Sequence, residues 1–116
     1  MKWALLALAV ALTGCASVKD IEQTPETMSV ISGKKPDIYA KCVVDKLADS
    51  RGPSLIEPYH DGLRVIVPQK FSSDPAALLD ITDRGRGSAI KVHERLANNP
   101  LRPGDVRDAA TECISG

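Results

Sequence analysis

The sequence predicts a single small α+β domain, because helical periodicity at both ends of its body encloses a stretch in which apolar residues alternate. The length of 116 residues leaves room for one such domain and argues against a large enzyme with a cleft between domains. We expect one helix, three to four antiparallel strands and a second helix, with both helices on the same face of the sheet.

The first predicted helix begins at Pro36 and runs to about Asp49, where the residues from Ser50 to Pro53 supply a stop. Its apolar side chains fall within half of the helix circumference: Ile38, Tyr39, Cys42, Val43 and Leu47. The second predicted helix, from about Gly104 to Ile114, has an apolar stripe of Val106, Ala109, Ala110, Cys113 and Ile114. Each helix therefore carries one cysteine on its inward face.

Two clear strands and one weak strand lie between the helices. The stretch from Gly62 to Pro68 directs Leu63, Val65 and Val67 to one face, and the stretch from Ser88 to Leu96 alternates in the same way. The stretch from Ser54 to Tyr59 is a shorter strand broken by Pro58, and the turn at His60-Asp61-Gly62 joins it to its successor as a hairpin.

Residues Ala77–Asp83 are open to two interpretations. Asp74-Pro75 could cap a helix, whereas Leu79 and Ile81 alternate with Asp80 and Thr82 as in a strand. The glycine-rich stretch from Arg84 to Gly87 then suits a hairpin into the following strand. We therefore favour the strand.

The amino terminus has the order of an export signal. Lys2 precedes an unbroken apolar run from Trp3 to Leu12, which would rise only about 15 Å as a helix, half of a bilayer core of roughly 30 Å. We therefore expect residues 1–14 to be a cleaved signal peptide and not a membrane span.

The motif Leu12-Thr13-Gly14-Cys15 resembles the lipobox of bacterial lipoprotein precursors. The resemblance implies a diacylglyceryl thioether on Cys15, cleavage before that residue and acylation of the new amino group. Ala16 follows in place of aspartate, which in the family's sorting pattern implies the outer membrane of a Gram-negative cell. We expect a firmly anchored protein with its body in the periplasm, because several acyl chains together hold a protein on a membrane.

Residues 15–35 predict a lipid-anchored flexible linker, which leaves residues 36–116 as the folded domain. The segment is mostly polar, with scattered apolar residues and no sustained period. Twenty flexible residues span about 25 Å, enough to hold a domain off the membrane. Within this linker, Val30 and Ile31 are the residues that could form a short extension of the body.

The cysteine count predicts one disulfide. With Cys15 acylated, Cys42 and Cys113 are the one possible pair in an oxidising compartment. Their bridge would close a loop of about 72 residues and contribute roughly 4 kcal/mol in the chain-entropy model. A metal pair or a catalytic thiol is the alternative reading, but neither cysteine has a second ligand nearby at metal spacing.

The second face of the sheet is the candidate interaction surface. On it we expect a mostly charged set: Arg64, Ile66, Asp80, Thr82, Lys91, His93 and Arg95. Such a face is either solvated or docks another envelope protein, and the candidate contact residues are Arg64, Ile66, Lys91, His93 and Arg95. Nucleic acid is not an expected partner, because 15 basic and 15 acidic residues, less Lys2 of the signal, give a charge of about −1.

The residue inventory predicts no catalytic residue, no metal site and no cofactor. His60 is explained by its turn and His93 by its exposed strand position, and the sequence contains neither Gly-x-Ser-x-Gly nor His-Glu-x-x-His. The arginines of the stretch from Arg84 to Ser88 could grip an anion, but a hairpin turn there requires no ligand.

The body also resembles, loosely, small two-cysteine proteobacterial lipoproteins of unassigned function, through Cys42, Gly87-Ser88 and Cys113. This resemblance carries no site residue. The hypothesis is therefore a non-enzymatic outer-membrane lipoprotein that binds or scaffolds an envelope protein. A periplasmic inhibitor or immunity lipoprotein is one alternative, and a small envelope hydrolase is another.

Overall fold

The structure is a computed structural model that describes residues 18–70, 74–95 and 104–115. Its elements are β1 (Glu26–Ser32), α1 (Pro36–Arg51), β2 (Leu55–Tyr59), β3 (Gly62–Pro68), β4 (Pro75–Asp83), β5 (Ser88–Glu94) and α2 (Asp105–Glu112). Residues 18–22 are also helical and are called the N-terminal helical segment. The predicted signal peptide and Cys15, on which the lipobox prediction rests, lie outside the described residues.

One antiparallel sheet contains all five strands, in the order β1-β5-β4-β3-β2. Strands β2 to β5 follow one another as a meander, and β1 pairs with β5 at the far edge. Helix α1 therefore carries the chain from one edge of the sheet to the other. The α+β class is confirmed, and so is a strand at Ala77–Asp83, but the sheet has five strands where three to four were predicted.

The additional strand corrects the prediction of a flexible linker over residues 18–35. The residues from Met28 to Ser32 pair one by one with those from Val92 to Ser88, and Ile21 is only 2% exposed. The sequence does not indicate β1 as a strand because burial alternates only weakly at the sheet edge, where Met28 and Val30 are half-buried and Ile31 is exposed. Folded structure thus begins by residue 18, well before residue 36.

The hydrophobic core lies between the sheet and the two main helices. Helix α1 contributes Tyr39, Val43 and Leu47, and α2 contributes Val106 and Ala110. The sheet supplies its alternating residues in two aligned rows: Val65, Leu79 and Val92 in one, and Leu63, Ile81 and Ile90 in the other.

The buried arc of α1 differs from the predicted one at Ile38 and Ala40. Tyr39, Val43 and Leu47 are four residues apart and define the centre of the arc. Ile38, which was predicted to face inward, lies at its edge and is 55% exposed, while Ala40 is buried.

A disulfide and a buried hydroxyl connect the two helices. Cys42 and Cys113 are bonded with a Cα–Cα distance of 5.9 Å, which confirms the predicted pair. The hydroxyl of Tyr39 donates to the carbonyl oxygen of Ala110 at 2.6 Å, and burial raises the pKa of Tyr39 to about 12. The helices are thus joined both covalently and by hydrogen bonding.

An ion pair fixes the other ends of the same helices. Nε and Nη2 of Arg51 donate to the two carboxylate oxygens of Asp105 at 2.8 and 2.9 Å, while Nη1 donates to the carbonyl oxygen of Pro68. The hydrogen bond from Arg51, together with one from Ser50, lowers the pKa of Asp105 to about 2.

A tight approach between chain segments explains Gly87 and the serine after it. A Cβ at Gly87, whose φ is 137°, would overlap the carbonyl oxygen of Ser32. Ser88 is buried and donates to the carbonyl oxygen of Lys34, and Ser32 donates to that of Ile114. At this end of the sheet, one serine hydroxyl thus holds the chain before α1 and the other holds the chain after α2.

Candidate functional site

The candidate site is the outer face of the sheet, defined as the face turned away from α1 and α2. Strand register places Glu57, Arg64, Asp80 and Lys91 in one row across β2 to β5. The adjacent row contains Leu55, Ile66, Leu78 and His93. Because side chains alternate along a strand, both rows lie opposite the core residues.

A buried arginine is the centre of this face. The Arg64 side chain is 3% exposed and donates from Nε and Nη2 to the two oxygens of Asp80, at 2.6 and 3.0 Å. Its Nη1 donates to Glu22 of the N-terminal helical segment. The guanidinium also lies over the ring of Tyr59, with 3.6 Å between its carbon and the ring centroid.

The electrostatics of this cluster keep the guanidinium charged. Burial opposes the charge, but the hydrogen bonds that Arg64 donates to Asp80 and Glu22, together with the negative charges of these carboxylates, outweigh it and raise the pKa of Arg64. Arg64 is therefore fixed between two carboxylates. It is not part of an open docking surface, which corrects its place among the predicted contact residues.

The chain's own N-terminal residues cover the middle of the outer face. Besides the contact of Glu22 with Arg64, Nδ1 of His93 lies 2.9 Å from the carbonyl oxygen of Thr24. Leu78 is fully buried although it points to this face, and so is Ile21 of the helical segment. The expected open face is thus largely occupied by residues 18–24.

The other predicted contact residues lie around residues 18–24 on the outer face. Lys91 is exposed and forms an ion pair with Glu26 at 3.7 Å, and Arg95 is exposed and donates to the carbonyl oxygen of Pro75. Ile66 is half-buried and lines a groove. The five predicted residues share a region of the molecule, but the structure does not unite them into one continuous surface.

That groove lies between the N-terminal helical segment and strands β2 and β3, and its volume is about 610 Å³. Most of its lining is apolar and comes from Val18, Pro53, Leu55, Tyr59, Ile66 and Pro68. Leu55 is 58% exposed at its side. Volumes of this size and lining chemistry are typical of sites for small apolar ligands.

The two edges of the sheet differ in their chemistry. β1 has seven residues, contains no proline and carries Ile31, which is 60% exposed. β2 has five residues and contains Pro58. Among the residues that the structure describes, no strand pairs with the outer side of either edge.

The histidines and the glycine-rich turn have local structural roles. His60 has a φ of 50° in the β2–β3 turn, and its ring packs against that of Tyr59. In the turn after β4, the Gly85 amide donates to Asp83 at 2.7 Å, and Lys35 donates to the Gly85 carbonyl oxygen. The hydrogen bond from Gly85 and the charge of Lys35 lower the pKa of Asp83.

Two further kinds of functional feature, a metal site and a membrane-spanning helix, are not found in the described part of the chain. No group of three His, Cys, Asp or Glu residues there is arranged to hold a metal ion. None of its helices is long and apolar enough to cross a bilayer.

The segment that completes this face was missed at the level of sequence. Val18 and Ile21 are three residues apart, as on one side of a helical turn, and Glu22 follows directly. A stretch of five residues is too short for that spacing to stand out from a polar linker.

Comparison of the chain with protein-family profiles, with curated proteins and with solved structures gives no match.

Proposed function

We propose that this chain is a non-enzymatic outer-membrane lipoprotein, anchored through Cys15, that binds an envelope protein along the outer edge of β1. The observation that carries the proposal is the open edge itself. Alternate residues of this seven-residue strand direct backbone N–H and C=O groups outward, and no described strand pairs with them on that side. Such an edge is a template for an extended segment of another protein.

The contrast with β2 supports the choice of edge. In a hairpin with a two-residue turn the closing pair, Tyr59 and Gly62, is hydrogen-bonded. The next pair, Pro58 and Leu63, is therefore not hydrogen-bonded, and the backbone nitrogen of Pro58 faces the open edge of β2. Because proline has no N–H group, this edge has one donor fewer. β1 contains no proline, and Glu26 is its one charged residue. Its register with β5 shifts between Glu26 and Met28, so the regular part of this edge runs from Met28 to Ser32.

Side chains beside β1 define the chemistry of the partner segment. Ile31 offers an exposed apolar contact, and Lys91 lies on the neighbouring strand opposite Ser29. A strand with an apolar residue near Ile31 and an acidic residue near Lys91 would be complementary.

The proposed anchor fits a partner at the membrane. Cys15 lies three residues before Val18, a distance of about 10 Å at full extension. An acylated Cys15 would thus hold the folded body close to the lipid surface, so the partner is proposed to be a membrane-associated protein. A non-enzymatic role agrees with the engagement of Glu22 and Asp80 by Arg64.

The test is affinity capture from crosslinked envelopes with mass spectrometry of the retained proteins. The wild-type bait is compared with Ile31→Lys, which places a charge at the β1 edge, and with Ile38→Lys on α1 as a control of similar exposure. We expect one enriched protein that is lost with Ile31→Lys and kept with Ile38→Lys. Equal retention by both variants would exclude the β1 edge, and mass analysis of the bait checks acylation of Cys15 separately.

A further inference from the structure

We propose that the apolar groove beside the N-terminal helical segment holds an acyl chain of the protein's own lipid anchor when the protein is away from a bilayer. The inference rests on the proposed acylation of Cys15 and adds a binding site with a defined ligand class, a long saturated hydrocarbon chain.

The position of the groove indicates this occupant. Val18, the first described residue, lines the groove, and Cys15 lies three residues before it. At most about 10 Å of chain therefore connects the modified cysteine to the groove. A ligand tethered this closely is present at a high effective concentration, which a free partner does not share.

The lining of the groove fits the same chemistry. Leu55, Ile66 and Pro68 offer carbon surface, and the volume of about 610 Å³ is within the range of sites that enclose small apolar molecules. A hydrocarbon chain needs no hydrogen-bonding partner. A peptide segment in the same place would have to satisfy its backbone polar groups as well.

The helical segment that forms one wall is held in place by charged side chains that also line the mostly apolar groove. Glu22 contacts Arg64, which is fixed in turn by Asp80, and Ile21 is buried against the sheet. The groove is therefore part of the folded body. A bilayer is as apolar as the groove, so an acyl chain gains free energy by entering the groove mainly when the protein is in water. A chain that stays in the groove is not inserted in the bilayer, and the protein then binds membranes less tightly.

The first experiment uses a mature chain that begins at Ala16, exported with an ordinary secretory signal and therefore unacylated. All described elements lie after residue 17, so this chain retains them. We titrate it with cis-parinaric acid, a fluorescent long-chain fatty acid, and compete with palmitate. We expect one saturable site that palmitate empties.

Two groove variants and one control locate that site. Leu55→Glu places a charge in the lining of the groove, and Leu55→Trp fills part of its volume. Leu55 is 58% exposed, so both variants should fold. We expect the affinity of each variant for the probe to fall roughly tenfold or more. Ile38→Glu, at an apolar position of similar exposure on α1, should leave the affinity unchanged. The absence of saturable binding, or equal binding by wild type and Leu55→Glu, overturns the proposal.

The second experiment tests whether the natural occupant is the protein's own chain. Acylated wild-type protein should bind little probe, and acylated Leu55→Glu should bind phosphatidylcholine vesicles more tightly because its chain is displaced from the groove. Full probe binding by the acylated protein would assign the groove to a free lipid and overturn this inference. Mass analysis that finds Cys15 unmodified in cells would instead overturn the proposed anchor, whatever the groove binds.

Discussion

The two faces of the sheet are covered by elements of different size and held by different forces. On the core face, two helices bury a continuous set of apolar side chains and are joined by a disulfide. On the outer face, the short helical stretch of residues 18–22 is held by one buried apolar residue, Ile21, and by the carboxylate of Glu22 on Arg64.

This difference shows how a short segment can be attached to a sheet without a large apolar area. Burial energy grows with the area removed from water, so five residues contribute little by that route. Hydrogen bonds to a charged group are stronger than neutral ones and add direction. The outer face should therefore respond to charge substitutions and salt, and the core face to changes in volume and covalent linkage.

The largest expected effect comes from the covalent link on the core face. Removing the disulfide with Cys42→Ala and Cys113→Ala together should lower the free energy of unfolding by about 4 kcal/mol, because the unfolded chain regains the freedom of a long loop. Urea unfolding followed by circular dichroism measures the change. Wild type in reductant should match the double variant, and a loss below about 1 kcal/mol would indicate that noncovalent contacts, not the disulfide, hold the helices together.

The next largest effect is expected at Arg64. Arg64→Met keeps the apolar length of the side chain but leaves Asp80 and Glu22 without their cation, at a cost of about 3 kcal/mol. Hydrogen exchange should show loss of amide protection in residues 18–24 before any loss in α1. Arg95→Met, at an exposed position, is the control and should change stability by less than about 0.5 kcal/mol. Simultaneous loss of protection on both faces would contradict independent attachment.

Acid should lower the folding stability by protonating Asp105, the carboxylate that links the ends of α1 and α2. Its folded pKa of about 2 lies below the ordinary value, so its contribution is present above about pH 4 and is lost as the pH falls toward 2. We expect wild type to lose about 2 kcal/mol over this range and Asp105→Asn to lose much less. Asp108→Asn, in the first turn of the same helix, is the matched control, and a pH profile of Asp105→Asn that parallels wild type would exclude this origin.

Sequence patterns predicted the parts of the fold that repeat a strong signal. β3 was predicted with its observed bounds because its apolar residues alternate regularly. The disulfide was predicted because Cys42 and Cys113 are the one pair that remains when Cys15 is assigned to the lipid. For β1 and residues 18–22 the sequence predicts a linker, since an edge strand and a short helix each bury too few apolar residues to produce a clear hydrophobic period. The outer-face residues were also predicted together, but burial of Arg64 depends on Glu22, which only the tertiary fold brings near.

The smallest change in stability is expected for Glu22→Gln, a variant that distinguishes the contribution of charge from that of hydrogen bonding. Glu22→Gln keeps an oxygen acceptor for Arg64 but removes the negative charge, so we expect a loss of about 1 kcal/mol at low salt. Because this carboxylate is partly exposed, 1 M salt should weaken the same contact in wild type and reduce the difference between the two proteins. Thermal unfolding at both salt concentrations measures it.

Glu112→Gln serves as the matched control on the other side of the molecule. It removes the charge that Lys46 meets at 3.5 Å between two well-exposed side chains, a contact expected to contribute less than about 0.5 kcal/mol. A salt-independent loss at Glu22 would show that the segment is held by hydrogen bonding alone. A loss no larger than that at Glu112 would assign the attachment of residues 18–22 to Ile21, and the contrast between a charge-held and an apolar face would then fail.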